Sequence, residues 1–299
     1  MKICFYAGDK TWGGLQNNGG TKTILRSAEA LRLLGHEVDV VASVDRFTYF
    51  KHPKPLKKIP KCDVCIAVSP SDIMSMVKEC PRGVKMSTWL RGWPVWAMKS
   101  EKIVFLLRSF CDAGNKVFVI SKWLQRKCEK NGIKAEIQYA GFDDVWAYGD
   151  LARITNQIGT LYHKFHKTKN YAFWQKVRER LGNTFSFVEI GRKPMNDEQL
   201  RKVYQSCGIW FSATSLEGFH QVPMEAALCG SAIVCNDHAR NGIDYANHST
   251  ATIYKFNDVE DAVEKIHSVG FTKTYAMEEY IYEHIGTRSK NMKQFAEAL

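Results

Sequence analysis

The sequence predicts an α/β protein of two domains, each a parallel sheet wrapped by helices. Short apolar runs alternate with helical patterns along the chain. That alternation stops over 141–157 and then restarts. The length, 299 residues, suits one large domain or two medium ones. Strand, helix and strand in repetition are the signature of a parallel sheet with crossover helices.

KICFYA reads as the first strand. TKTILRSAEALRLLG sets Ile24, Ala28, Leu31 and Leu34 near helical spacing, and Gly35 closes the helix. EVDVVA, CDVCIAV and VKMSTW follow as strands. KVFVIS is a strand, KWLQRKCEKNG a helix and AEIQY another strand. The patternless stretch 141–157 is read as a linker. IGTLYH, TFSFVEIG, GIWFSAT, SAIVCND and TATIYKF are the strands of the second half, with helices beginning near Asn170, Asn196, Pro223 and Asp258. A last helical pattern over 287–299 would cross back onto the first domain. The expected division is 1–145, 155–284 and a C-terminal helix within 285–299. Two such domains would leave a cleft, and ligands in such sheets bind beyond the carboxyl ends of the strands.

Composition is that of a globular protein, 45% hydrophobic and 24% charged. Apolar runs such as 103–107 are too short to cross a bilayer, and MKICFYAGDK is too short for a signal-peptide core. The expected location is the cytoplasm, free or peripheral at a membrane, or the host cytoplasm for a viral protein. Nine cysteines include a C-x-x-C at Cys62 and Cys65 inside CDVCIAV, read as a buried strand that points the two to opposite faces. No second pair stands at zinc spacing, so no metal is expected. The net charge of +11 is uneven. Residues 1–150 carry 24 Lys and Arg against 15 Asp and Glu, whereas 151–299 carry 18 against 16. The first half therefore points to an anionic partner.

SLEGFHQVPMEAALCG, following the strand GIWFSAT, places Glu217 in a loop and Glu225 in the first turn of a helix opened by Pro223. Free N–H groups at that helix start suit an anion. Gly218 lets backbone approach a ligand. Two acids flanking an anion site would repel phosphate, but they accept well from hydroxyls. The pattern suits a ligand with phosphates in the middle and a sugar at each end, as in a nucleotide-diphosphate sugar. A capped helix whose acids complement its dipole is the plain structural alternative.

The run E-G-F-H-Q-V-P-M-E, continued by A-A-L-C-G, resembles the E-x7-E motif of retaining glycosyltransferases of GT-B fold, the large family that includes sucrose synthases and bacterial glycan glycosyltransferases. The resemblance implies two Rossmann-like α/β/α domains facing each other across a cleft. It also implies that Glu217 meets the transferred sugar and Glu225 the nucleotide ribose. LYHKFHKTKN resembles the family's basic pair, here Lys164 and Lys169, which would neutralise the leaving diphosphate. GGTKTILRSAEALRLLGHEV resembles its first loop and helix, with Gly19 and Gly20 against the diphosphate. VFVISKWLQ and YAGFD match the end of the first domain, with Ala140 in place of the usual Asn. The family's proline usually falls one place earlier than Pro223. Its pocket histidine is missing from STWLRGWPVW, where Arg91 is the nearest polar residue, either a contact to sugar or acceptor or a partner of a carboxylate. Arg192, Phe219 and His220 complete the implied donor-binding set.

The resemblance implies transfer of a sugar, from UDP foremost, to a hydroxyl, with retention and without cofactor or metal. A basic loop, KHPKPLKKIPK over 51–61, fits a polyanionic acceptor. A hydroxymethylated DNA base is one candidate. A surface-glycan or lipid-linked acceptor at an anionic membrane is another, with MKSEKIVFLLRSF as the best segment for a membrane face. An idle nucleotide- or nucleic-acid-binding module and a sugar phosphorylase are the remaining alternatives.

Overall fold

The computed structural model describes residues 1–8, 14–94, 98–146, 154–163, 167–270 and 272–299. Chain contacts divide it into two units, Met1–Gly141 with Arg288–Leu299, and Phe142–Thr287.

In the first unit the described elements are β1 (Lys2–Ala7), α1 (Gly19–Leu33), β2 (Glu37–Ala42), β3 (Val64–Ala67), α2 (Pro70–Glu79), β4 (Lys85–Leu90), α3 (Ser100–Asp112), β5 (Lys116–Val119), α4 (Lys122–Glu129) and β6 (Glu136–Ile137). The strands form one sheet in the order β2-β1-β3-β4-β5-β6, every pairing parallel. Strands covered on both faces read as continuous apolar runs, and β1 and β3 are buried along almost their whole length. The Asn18 side chain caps α1 by accepting from the Thr21 N–H at 2.8 Å. The helix thus begins at Gly19, and both glycines belong to its first turn rather than to a loop before it. Cys62 precedes β3, so the two C-x-x-C thiols do not share a strand; all nine cysteines are free. Helix α3 turns Ile103, Leu107 and Phe110 into the core and leaves Phe105 exposed, so the segment offered for a membrane is a core-facing helix. Among the described residues no helix is long and apolar enough to span a membrane.

The second unit contains β7 (Ile154–Leu161), α5 (Tyr171–Leu181), β8 (Ser186–Ile190), α6 (Asp197–Ser206), β9 (Cys207–Ser212), α7 (Gln221–Leu228), β10 (Ala232–Asn236), β11 (Thr252–Tyr254), α8 (Val259–His267) and α9 (Thr272–Tyr280), which runs into a π-helical turn, Ile281–Ile285. Its sheet is parallel in the order β11-β10-β9-β7-β8. The linker expected up to residue 157 is shorter, because β7 begins at Ile154. Polar Thr155, Asn156 and Gln157 hide the strand from a hydropathy reading, and an irregularity between Ile154 and Ile158 breaks its period. Phe173, Phe211 and Tyr254 stack nearly parallel in the core, with ring centroids 5.2–6.5 Å apart, and Trp174 packs beside Phe211.

The final helix, α10 (Arg288–Ala298), belongs to the first unit. Phe295 is fully buried between Trp89 and Phe118. Gln138 donates to the Asn291 carbonyl at 3.0 Å, and Arg288 reaches the Ser27 hydroxyl at 3.4 Å and the Ala140 carbonyl at 3.3 Å.

Candidate active site

The carboxyl ends of β7, β8, β9 and β10 gather most of the residues singled out in the second half. The 3₁₀ turn Lys167–Lys169 follows β7, and the loop after β9 is sewn to it. The Ser215 N–H and hydroxyl both donate to the Thr168 carbonyl, at 2.8 and 3.2 Å. Lys169 Nζ then forms an ion pair with Glu217 Oε2. Both side chains are partly sheltered, 14% exposed for Lys169 and 32% for Glu217. Lys164, the other expected cation, lies outside the described residues.

The loop after β10 holds Glu217 from the opposite side. The Glu217 N–H donates to the Arg240 carbonyl at 3.0 Å, and the His220 N–H to the Gly242 carbonyl at 2.8 Å. Gly242 has φ of +75°. A Cβ there would lie 3.0 Å from Glu217 Cβ and its carbonyl oxygen, and 3.1 Å from the His220 nitrogen. Only glycine meets both conditions without strain. Gly242→Ala is therefore expected to cost about 1–2 kcal/mol, seen as a lower urea midpoint, and to displace Glu217. An unchanged midpoint would show that the loop absorbs the methyl group. Sequence reading missed this second loop, although Asn241-Gly242 is a turn signal.

His220 caps the start of α7 and is 3% exposed. Its Nδ1 lies 3.3 Å from the Ser212 hydroxyl, its carbonyl accepts from Tyr245 at 2.6 Å, and its Nε2 has no hydrogen-bond partner among the described residues. Together with Lys169, Tyr171, Trp174, Ser212 and Thr214 it lines a small pocket. Burial, and then the Lys169 charge, hold His220 well below the ordinary histidine range. The folded protein thus resists a proton that the unfolded chain accepts below about pH 6.5. Stability from this group is complete above that pH and falls as pH drops below it, by up to about 1.4 kcal/mol per unit. His220→Gln should flatten the stability–pH curve below 6.5. Half-buried His238 has a smaller depression, from burial and then Arg240, that persists in the variant. An unaltered slope would place the proton uptake elsewhere.

Helix α7 begins at Gln221, two residues before the expected start, so Glu225 sits in the second turn and no acid occupies the first. Pro223 is its third residue, still among positions whose N–H groups lack an intrahelical partner. Glu225 is 7% exposed and accepts from the Tyr204 hydroxyl on α6 at 3.0 Å. Tyr204 is held between Trp146 and Trp210. Burial, then Glu225, keeps its phenol protonated far above the usual range. Gly218 and Phe219 lie in the same loop, Phe219 packed edge-on against Tyr245.

Arg192, past the end of β8, lies 3.9 Å above the Tyr162 ring and pairs with Glu189. Burial opposes the Glu189 charge, but hydrogen bonds from Arg192, Trp174 and Tyr171 outweigh it and lower its pKa. The sequence shows Glu189 only as a lone acid in an apolar strand. Its partners Tyr171, Trp174 and Arg178, the last at 3.7 Å, lie on α5, and Arg192 lies just past β8.

In the first unit, Gly19 and Gly20 open α1 and Arg91 follows β4. Arg91 Nη1 donates to the Gly20 carbonyl, while Nε and Nη2 donate to the Val68 carbonyl at 3.2 and 3.1 Å. Burial lowers its pKa to about 10 against the pull of Asp72. A Cβ on Gly20 would meet Arg91 Nη1 at 2.8 Å, so the glycine makes room for the guanidinium. Arg91 thus ties the start of α1 to the end of the sheet through carbonyl oxygens. Among the described residues no cluster of three or more His, Cys, Asp or Glu is placed to hold a metal.

No protein-family model matches the chain, and no curated protein matches it in sequence. Solved structures match its fold along its whole length. Sucrose-phosphate synthase from Thermosynechococcus elongatus is 11% identical with a TM-score of 0.78, covering 100% of this chain and 98% of that one. Anabaena HepE, solved in complex with UDP-glucose, is 13% identical with a TM-score of 0.75, covering 100% and 99%. An alpha-glucosyltransferase solved with UDP and a 13-mer DNA containing a central A:G mismatch is 16% identical with a TM-score of 0.69, covering 100% and 98%. The likeness is one of fold. The chain has the two-domain parallel α/β architecture of these GT-B glycosyltransferases, as its sequence led us to expect.

Proposed function

We propose that this protein is a retaining glycosyltransferase that moves a sugar from a UDP-sugar to a hydroxyl of a polyanionic acceptor, a hydroxymethylated DNA base foremost. The observation that carries the reading is the sheltered Lys169–Glu217 pair at the carboxyl ends of β7 and β9, beside the neutral His220. HepE with UDP-glucose and the alpha-glucosyltransferase with UDP and DNA, both of this fold, support the donor and the acceptor class.

In the reaction the bond from sugar C1 to the β-phosphate oxygen breaks and a bond from C1 to the acceptor oxygen forms on the same face. The acceptor proton passes to the departing diphosphate. Lys169 has three N–H donors, enough to keep Glu217 in place while meeting the charge that grows on the leaving group. Glu217 accepts from sugar hydroxyls, His220 Nε2 offers a further polar contact to the sugar, and Glu225 with Tyr204 is assigned to the ribose. Arg192 is proposed as a further donor contact, and the family resemblance alone proposes Gly19 and Gly20 for the diphosphate and Arg91 for the sugar or acceptor. Side chains and helix ends supply the positive charge, so the reaction runs without a metal or cofactor.

UDP release from UDP-glucose, with GDP-sugars for comparison and with or without duplex DNA carrying hydroxymethylcytosine, tests the reading. Release should rise with modified DNA, withstand chelator and fall at least about 100-fold in Glu217→Ala. Release indifferent to DNA would move the acceptor to a glycan or lipid. Binding of UDP without any release would leave an idle binding module.

A further inference from the structure

Resting on the polyanionic-acceptor reading, we propose that the loop 43–61 of the first unit is the surface on which that unit docks the phosphate backbone of DNA. The loop follows β2 and carries Arg46, Lys51, Lys54, Lys57, Lys58 and Lys61 against a single acid, Asp45. Asp45 is engaged by His52 at 3.1 Å. Lys57, also exposed, is tied to the start of the loop, donating to the Ser43 carbonyl at 3.0 Å. The other five cations are exposed and make no ion pair among the described residues. Ion pairs of the unit's other cations are few among the described residues, Lys2 with Glu37 at 2.8 Å and Arg26 with Glu29 at 3.0 Å, so what sets the loop apart is the density of its cations against one acid.

The loop has no helix or strand of its own, yet it is fixed at several points. Leu56 pairs with β2, donating to the Val40 carbonyl at 2.8 Å and accepting from the Ala42 N–H at 3.1 Å. Phe47 is buried at the centre of a ring cluster. The Thr48 N–H and the Tyr49 hydroxyl both reach Asn17, next to the cap of α1. Three prolines restrict the remainder. A fixed row of cations loses little conformational entropy when it binds.

The lysines lie three or four residues apart, hence at most about 10–14 Å apart along the chain. Duplex DNA offers a charge for roughly every 1.7 Å of its axis, so each lysine finds a phosphate. A membrane-docking segment would add an apolar face to its cations. Here Phe47 is buried, Phe50 is covered by the Arg26 guanidinium at 4.1 Å, and Leu56 is the large apolar side chain left exposed. Charge without an apolar face argues against insertion into lipid and leaves a charge-only contact, for which the closely spaced phosphates of DNA are the partner that the acceptor reading supplies.

The test uses the full chain and an unmodified 20-base-pair duplex, without donor, titrated across salt concentrations. The variant combines Lys51→Gln, Lys54→Gln, Lys58→Gln and Lys61→Gln. A control of equal charge change combines Lys78→Gln, Lys85→Gln, Lys102→Gln and Lys130→Gln, exposed lysines elsewhere in the unit. Each lost phosphate contact should lower the log–log salt slope by about 0.9, so the loop variant should lose about 3 to 4 from the slope and bind at least about tenfold more weakly at low salt. The control should keep the wild-type slope, and both variants should melt like wild type. Equal losses in the two variants would reduce the effect to net charge and overturn the proposal. So would a loop variant that keeps DNA binding and instead loses binding to phosphatidylserine-containing vesicles. Because no donor is present, the outcome is separable from UDP release. Wild type that releases UDP but does not bind duplex would sink the docking surface alone, and wild type that binds duplex through the loop but releases nothing would sink the transferase reading alone.

Discussion

Lys169→Ala is expected to slow UDP release and sugar transfer by about 100- to 1000-fold, the loss typical when one fixed charge facing the transition state is removed. Lys169 stands at the end of the 3₁₀ turn after β7, and its ammonium pairs with Glu217 rather than extending into water. On the proposed function its removal takes a cation from the leaving group, and it also frees the carboxylate with which it pairs. Lys169→Arg restores the charge with a different fork geometry and should recover part of the rate. Pre-steady-state measurement separates the two effects, since lost leaving-group stabilisation lowers the chemical step whereas a displaced Glu217 also weakens donor binding. A rate within about threefold of wild type would remove Lys169 from the chemistry and leave the ion pair a structural clasp.

Trp174→Ala should destabilise the second unit strongly, by about 3–5 kcal/mol. The indole is 1% exposed, packs against Phe187 and Phe211, and donates from Nε1 to Glu189 at 3.1 Å. Truncation leaves a cavity under the sheet and takes one of three hydrogen-bonding residues from a sheltered carboxylate. Against a usual total of about 5–15 kcal/mol, the loss is enough to shift urea denaturation of this unit strongly. Trp174→Phe keeps most of the volume and removes only the donor, so it should cost about 1–2 kcal/mol. Equal costs for the two variants would assign the whole effect to the hydrogen bond.

The strands and most helices of both units were legible because parallel strands buried on both faces leave unbroken apolar runs, as in KICFYA and SAIVCND. The start of β7 was not, since Thr155, Asn156 and Gln157 are polar and backbone pairing holds the strand there. Helix α7 gave a misleading start because proline, tolerated anywhere in a first turn, was read as marking its beginning. At the site, the sequence named Glu217, Lys169 and His220 one by one. Their union depends on Ser215 meeting Thr168, a contact across 47 residues that no local pattern encodes. Arg91 was legible as a polar residue at a strand end, but its carbonyl partners on Gly20 and Val68 were not. Glu225 was legible as an acid at helical spacing, while its partner Tyr204 lies on another helix.

The central claim, sugar transfer from a UDP-sugar at the Lys169–Glu217 site, is tested most directly by the mass of the acceptor. A synthetic duplex with one hydroxymethylcytosine, incubated with UDP-glucose and the protein, should gain the mass of one hexose, and Glu217→Ala should abolish the gain. A duplex that keeps its mass, while UDP-glucose and a panel of glycan and lipid acceptors also remain unchanged, would contradict the account.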